Sequence, residues 1–261
     1  MNFDCETIDG AVRYNYPKFI TSGIPCKAGI PRNSSIANKI NNGAKELKGR
    51  EAEITCAVMR AVVTELAKAG KGRYVVGAVS NRHAHLSAAD KEALFGAGYE
   101  LKRAKELVQP GQYASTDTVS IIGPKGRIDK VRVLGPERAQ TQVEVSVTDA
   151  YRLGLRAEVR MSGELAGTPG CVLEANGRRL EFAEGVMVSA RHLHMSEEQA
   201  CAYGVKDGEK VRLKSVGDRA AGFEGVVVRS GAGHELEAHV DMDEANAAGI
   251  KNGDLLEMIQ G

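Results

Sequence analysis

Two short segments of the chain carry paired histidines in one pattern. Residues 79–87 read VSNRHAHLS and residues 188–196 read VSARHLHMS, a shared V-S-x-R-H-x-H-[LM]-S repeated at an offset of 109 residues. On an extended strand, alternate side chains point the same way. His83 and His85 can therefore present two ring nitrogens to one metal ion, and His192 and His194 can do the same. Four of the six histidines fall in these two copies. That concentration favours metal binding over a duplicated structural motif whose histidines only hydrogen-bond to one another.

The repeat also points to third ligands. TDAYRLGL, from Thr148, matches DEANAAGI, from Asp243, at an offset of 95 residues, and this offset sets Glu144 opposite His239. Both lie in strand-like runs, QVEVS and LEAHVD, and both residue types bind zinc-like ions. Two three-ligand sets are therefore expected, His83, His85, Glu144 and His192, His194, His239. Each leaves a coordination position open to solvent or substrate.

A Lys/Arg-rich segment, IIGPKGRIDKVRVLGPERAQT, fills residues 121–141 of a chain whose formal net charge is only +1. It suits a polyanionic ligand. Arg138, expected in a tight turn after Gly-Pro-Glu, offers a guanidinium fork for phosphate near Glu144, and Lys130 and Arg132 precede it. GPKGR lacks the spacing of a phosphate-binding nucleotide loop. No G-x-S-x-G elbow is present and no cysteine adjoins a histidine, so direct attack on the substrate is favoured over a covalent acyl-enzyme. Cys171 is expected to be a buried structural thiol.

The elements that must hold these residues are mostly short strands. After Gly70 the chain alternates β-branched runs with glycines, as in YVVGAVS, TVSIIG, KVRVLG, QVEVSV, GVMVSA, KVRLKSVG and GVVVRS. Helical insertions are brief, at AADKEALFG and SEEQACAYG. The fold class expected is mainly β, two related small β-barrel domains with short helical caps at 71–165 and 166–261, joined by a turn-rich hinge near 163–170. Ahead of them, residues 51–70 form an amphipathic helix with Ile54, Ala57, Val58, Ala61, Val62 and Leu66 at helical spacing and Gly70 as its stop. Its apolar face packs on this chain's own core or docks on another protein. Residues 1–50 are expected as a loosely docked extension with little to bury.

Composition narrows the classes further. The balanced charge excludes a basic coat for nucleic acid or a membrane surface. The absence of Trp and the low aromatic content, 5%, argue against stacking platforms for single strands or sugars. Five cysteines without C-x-x-C read as reduced thiols, and no apolar run approaches membrane-spanning length, so a cytoplasmic protein is expected.

Taken together, VSNRHAHLS, IIGPKGRIDKVRVLGPERAQTQVEVS, GVMVSARHLHMS, GVKDGE and HVDMDEANAAG closely resemble the phosphate propanoyltransferase family, the metal-dependent phosphotransacylases associated with bacterial microcompartments. The resemblance covers nearly everything from residue 51 onward. It implies paired β-barrels with a dinuclear zinc site between them, converting acyl-CoA and phosphate to acyl phosphate and CoA in either direction. By motif, one zinc falls on His83, His85 and Glu144 and the other on His192, His194 and His239. The family's phosphate-binding arginine falls on Arg138. Coenzyme A contacts fall on Ser80, Lys105, Arg132, Leu134 and Asn246, with Lys105 in a stretch, YELKRAKELVQPG, read as helical. The 51–70 helix resembles the segment that directs family members into the microcompartment lumen, although some 50 residues precede it here. Encapsulation and a cytosolic life both stay open, as do propanoyl and acetyl groups. Shell or lumen proteins and a second copy of the chain are the expected protein partners, with no nucleic acid and no membrane. A dinuclear phosphoesterase and a non-catalytic shell-interaction module are the competing readings.

Overall fold

The computed structural model describes residues 34–259. Helix α1 runs Ser34–Lys68. It begins well before the expected start near residue 51, and the part of the expected extension at 1–33 lies outside the described residues. The polar run 34–50 has little to bury, but extending an existing helix needs no new nucleus. Ala37, Ala44, Lys45, Glu46 and Leu47 are good helix formers. At its C-terminal end α1 buries Val63, Thr64 and Ala67, while Ile54, Val58 and Val62 stay exposed. The face that packs on this chain is thus not the stripe that periodicity selects. Lys68 closes the helix by pairing with Glu65 and with Glu198, each at 2.8 Å.

The remaining elements follow in short pieces. They are β1 Tyr74–Ser80, β2 His83–Ser87, α2 Ala88–Phe95, β3 Arg103–Glu106, β4 Tyr113–Ile122, β5 Arg127–Arg138, β6 Gln142–Val145, α3 Val147–Leu153 and β7 Val159–Arg160. Then come β8 Cys171–Ala175, β9 Arg178–Phe182, β10 Val186–Ser189, β11 His192–Met195, α4 Glu197–Tyr203, β12 Lys210–Lys214, β13 Gly222–Ser230, β14 Glu237–Asp241, α5 Met242–Ala248 and β15 Leu255–Ile259.

The protein is mainly β, as expected. Six strands close a barrel in the order β1-β14-β11-β13-β12-β15, and nine more form one sheet in which β7-β10-β6-β2-β5-β4-β8-β9 run side by side and β3 pairs with β4. This second sheet stays open. Its edge strand β7 has only two residues, too few to ladder onto β9. The sheets also exchange strands across the turn-rich segment at 163–170: β1 joins the barrel, while β8, β9 and β10 join the open sheet. Each sheet has its own core. Leu193, Met195, Tyr203, Leu213 and Leu256 lie in one, and Leu86, Leu94, Ile121, Val133 and Leu173 in the other.

Two local readings differ from expectation. The stretch holding Lys105 is strand β3, because pairing with β4 satisfies its backbone and Arg103 lies 4.2 Å over the Tyr113 ring. Gly135-Pro136-Glu137 continues β5 rather than forming a tight turn; the β2–β5 ladder shifts register nearby, where a proline is tolerated. The β8–β9 hairpin turns on Asn176 and Gly177 at φ 51° and 73°, an Asn-Gly signal legible in the sequence.

Gly135 allows β5 to pass against Tyr113. A methyl there would sit 2.1 Å from the ring carbon Cζ of a residue only 6% exposed. Gly135→Ala is expected to cost about 1–3 kcal/mol through overpacking, seen as a lower Tm. An unchanged Tm would contradict this packing.

Candidate metal centre

The two histidine pairs occupy the centre of the same three-strand frame in each sheet. In the open sheet β2 lies between antiparallel β6 and parallel β5, pairing His83 with Glu144 and with Arg132, and His85 with Leu134. In the barrel β11 lies between antiparallel β14 and parallel β13, pairing His192 with His239 and with Val227, and His194 with Arg229. Directly paired residues share a face. The intervening Ala84, Leu86, Leu193 and Met195 fill the cores and are fully buried.

The rest of the repeated motif builds this frame. Its serine ends the strand and caps the next helix, Ser87 accepting from Asp90 N on α2 and Ser196 from Gln199 N on α4. The residues two beyond Glu144 and His239, Ser146 and Asp241, cap α3 and α5 likewise. Its arginine ties the histidine strand to those helices. Arg82 donates to both carboxylate oxygens of Asp149 at 3.1 Å, and Arg191 pairs with Glu244.

The structure brings together both predicted donor sets. Each offers three ligand atoms within 4.8 Å of one another. His83 Nε2 lies 3.5 Å from Glu144 Oε1. The His192 and His239 rings stack at 4.8 Å, with His194 edge-on to His192 at 4.7 Å.

The hydrogen bonds show that these sets fit a metal. The first histidine of each pair uses Nδ1 on a backbone carbonyl two residues earlier, Asn81 O for His83 and Ala190 O for His192, each at 2.8 Å. That contact fixes the tautomer and leaves Nε2 as the lone-pair donor. His194 Nδ1 is engaged by His234 Nδ1 at 2.9 Å, again leaving Nε2. His239 Nε2 meets Glu237 Oε2 at 3.0 Å, which leaves its Nδ1. His85 Nδ1 is buried without a hydrogen-bond partner, a costly state that coordination would relieve. Imidazole with one carboxylate in the first set, and imidazole alone in the second, suit a zinc-like ion.

Burial governs the protonation of these rings. It pushes His85 down to about 2, helped by His83, and His194 to about 2, helped by His192 and His239. His192 falls to about 3 through burial and His239. All three are thus held neutral, the form that binds metal. Burial acts on His83 as well, but the Glu144 carboxylate outweighs it and raises the ring. Glu144 is held well below the usual carboxylate range because His83, His85 and Arg138 overcome its burial. Its charge also reaches His192, so the two sets share one electrostatic neighbourhood.

Arg138 ends β5, is half-buried and donates to Ser162 Oγ at 2.6 Å. Gln142 donates to the same hydroxyl at 2.9 Å and to Glu144 Oε1 at 2.6 Å, while Gly163 N donates to Gln142 Oε1 at 2.9 Å. The turn at 162–163 therefore locks Arg138 and Glu144 in place. The residues expected to meet coenzyme A are more scattered. Arg132 and Leu134 share the histidine face of the open sheet, with Arg132 donating to Ser115 O at 2.6 Å. Ser80 ends β1 beside Asp241, and Asn246 is exposed on α5. Lys105 is exposed on β3 and paired with Glu53 of α1 at 3.0 Å.

Sequence reasoning missed His234, Gln142, Ser162 and Arg229, all singletons outside the repeat. His234 stacks on His194, and its neighbour Glu235 is clamped at both backbone polar groups by the buried Gln109 side chain, at 3.1 and 3.2 Å. Only the fold brings them to the site. Cys171 is buried and its thiol is pushed up to about 12 by burial, whereas Cys201 is exposed. Alkylation of the native protein at pH 8 is expected to label Cys201 and spare Cys171, as read by mass spectrometry. Equal labelling would refute the buried assignment.

Comparison with known proteins gives one consistent family. The family described as phosphate propanoyltransferase matches residues 76–251. A phosphate propanoyltransferase of Thermotoga maritima is 52% identical over 71% of this chain and 89% of its own. Those of Priestia megaterium and Leptotrichia buccalis are 46% and 42% identical, over 76% and 75% of this chain and 92% and 93% of theirs. The matched region contains both histidine pairs, both third donors and Arg138, and the chain accordingly belongs to the phosphate propanoyltransferase family of acyltransferase enzymes.

Proposed function

We propose that this enzyme moves a propanoyl or acetyl group between coenzyme A and phosphate, by direct transfer, at two zinc ions held by His83, His85, Glu144 and by His192, His194, His239. The observation that carries the reading is the doubled frame, two donor sets in identical strand registers with Arg138 beside one of them. Bound metal supplies a Lewis acid for the acyl oxygen and a soft site for the thiolate.

The chain's own residues do the placing. Arg138, steadied by Ser162, holds phosphate with an oxygen aimed at the thioester carbonyl. That oxygen forms the new C–O bond, the C–S bond breaks, and CoA leaves as thiolate while the phosphate proton passes to solvent. Coenzyme A lies along the basic β4–β5 hairpin, near Arg132 and Leu134 and reaching toward Ser80, Lys105 and Asn246. The exposed Ile54, Val58 and Val62 support docking of α1 on microcompartment proteins. Among the described residues no helix is long and apolar enough to cross a membrane.

The test is thiol release from propanoyl-CoA and acetyl-CoA, with and without phosphate, on protein whose metal is counted by elemental analysis. Phosphate-dependent release with about two zinc ions per chain is expected. Release without phosphate, or none at full metal content, would overturn the reading.

A further inference from the structure

The two copies of the frame differ on their parallel strands: beside His83 stands Arg132, which donates to Ser115 O, and beside His192 the corresponding residue is Val227. Beside His85 the parallel strand presents Leu134; beside His194 the corresponding residue is Arg229. Arg229 shares the donor face of the barrel, is half-buried, and among the described residues has no carboxylate paired with it. Its surroundings make this costly. Its positive charge is felt at Arg138, which belongs to the other sheet, and at His192, His194 and His234. The three-histidine set beside it contains no anionic ligand, so any cation bound there would add to the repulsion. Two half-buried guanidinium groups within electrostatic reach of each other are stabilised by a dianion that both can bind.

We propose that Arg229 is a second anion-holding arginine, which grips the phosphoryl group of phosphate or acyl phosphate from the barrel side while Arg138 grips it from the open sheet. The inference rests on the acyl transfer to phosphate proposed above. It gives Arg229 a role that Arg132, whose guanidinium donates to Ser115 O, does not fill: the two copies meet the substrate from opposite sides and need not be alike.

The test is calorimetric titration of metal-loaded protein with inorganic phosphate, with no acyl-CoA present. Arg229→Gln is expected to weaken phosphate binding about tenfold or more. Metal content by elemental analysis and the KM for propanoyl-CoA should stay unchanged. Arg229→Lys should fall between the two, since a point charge cannot replace the fork. Phosphate affinity within twofold of the parent in Arg229→Gln overturns the inference. If that variant does not fold, Arg229→Lys decides, with a threefold or greater loss in support and no loss against. Arg138→Gln separates the two layers of argument. Weaker phosphate binding there with none at Arg229 rejects only this inference, whereas a parent protein that binds no phosphate rejects the proposed function with it.

Discussion

Replacing His192 by alanine is expected to leave the purified protein one metal equivalent short and its phosphate-dependent thiol release at least about a thousandfold slower, since a Lewis acid at a reacting carbonyl contributes several kcal/mol. The ring is buried, held neutral, and fixed through Nδ1 on Ala190 O. His239 and His194 already belong to the same set, and His234 is engaged with His194 through Nδ1, so the lost ring has no ready replacement. His83→Ala should do the same at the other set and leave Glu144 buried without its main compensating partner. Elemental analysis and a thiol assay on each variant check the prediction. A variant that loses its metal yet keeps full activity would defeat the two-metal scheme.

Arg138→Gln is expected to raise the KM for phosphate by about 30-fold, the equivalent of about 2 kcal/mol for a lost charge-assisted hydrogen-bonding partner, with little change in the KM for propanoyl-CoA. Glutamine keeps a donor but loses the charge and the fork. The split between the two KM values matters, since a general loosening of β5 would raise both. Ser162→Ala should give a smaller version of the same split, because the hydroxyl only steadies the guanidinium. An unchanged phosphate KM in Arg138→Gln would remove Arg138 from the phosphate site.

The donor sets were legible before any coordinates because duplication turns weak signals into a strong one. A single Glu144 or His239 on a strand is unremarkable; the 95-residue offset makes each the counterpart of the other. The strands around them were legible because β-branched runs broken by glycine have few alternatives. The helical reading of YELKRAKELVQPG failed because local propensity competed with a ladder to β4 and a ring under Arg103, neither visible locally. The start of α1 was missed for the opposite reason. A polar run with nothing to bury reads as loose, yet it continues a helix that is already nucleated downstream.

By itself, the sequence determined the class of structure, the two histidine sets and their third donors, and singled out Arg138 near Glu144. These follow from periodicity and repetition, which act between residues near in sequence or related by one offset. The tertiary structure alone decided that β1 crosses into the barrel and β8 to β10 into the open sheet. It alone set Ser162 and Gln142 behind Arg138 and Glu144, His234 on His194, and Arg229 beside His194 within electrostatic reach of Arg138. Apart from Gln142, two residues from Glu144, these are single residues far apart in the chain, and only strand pairing and burial, which depend on the whole fold, bring them to one site.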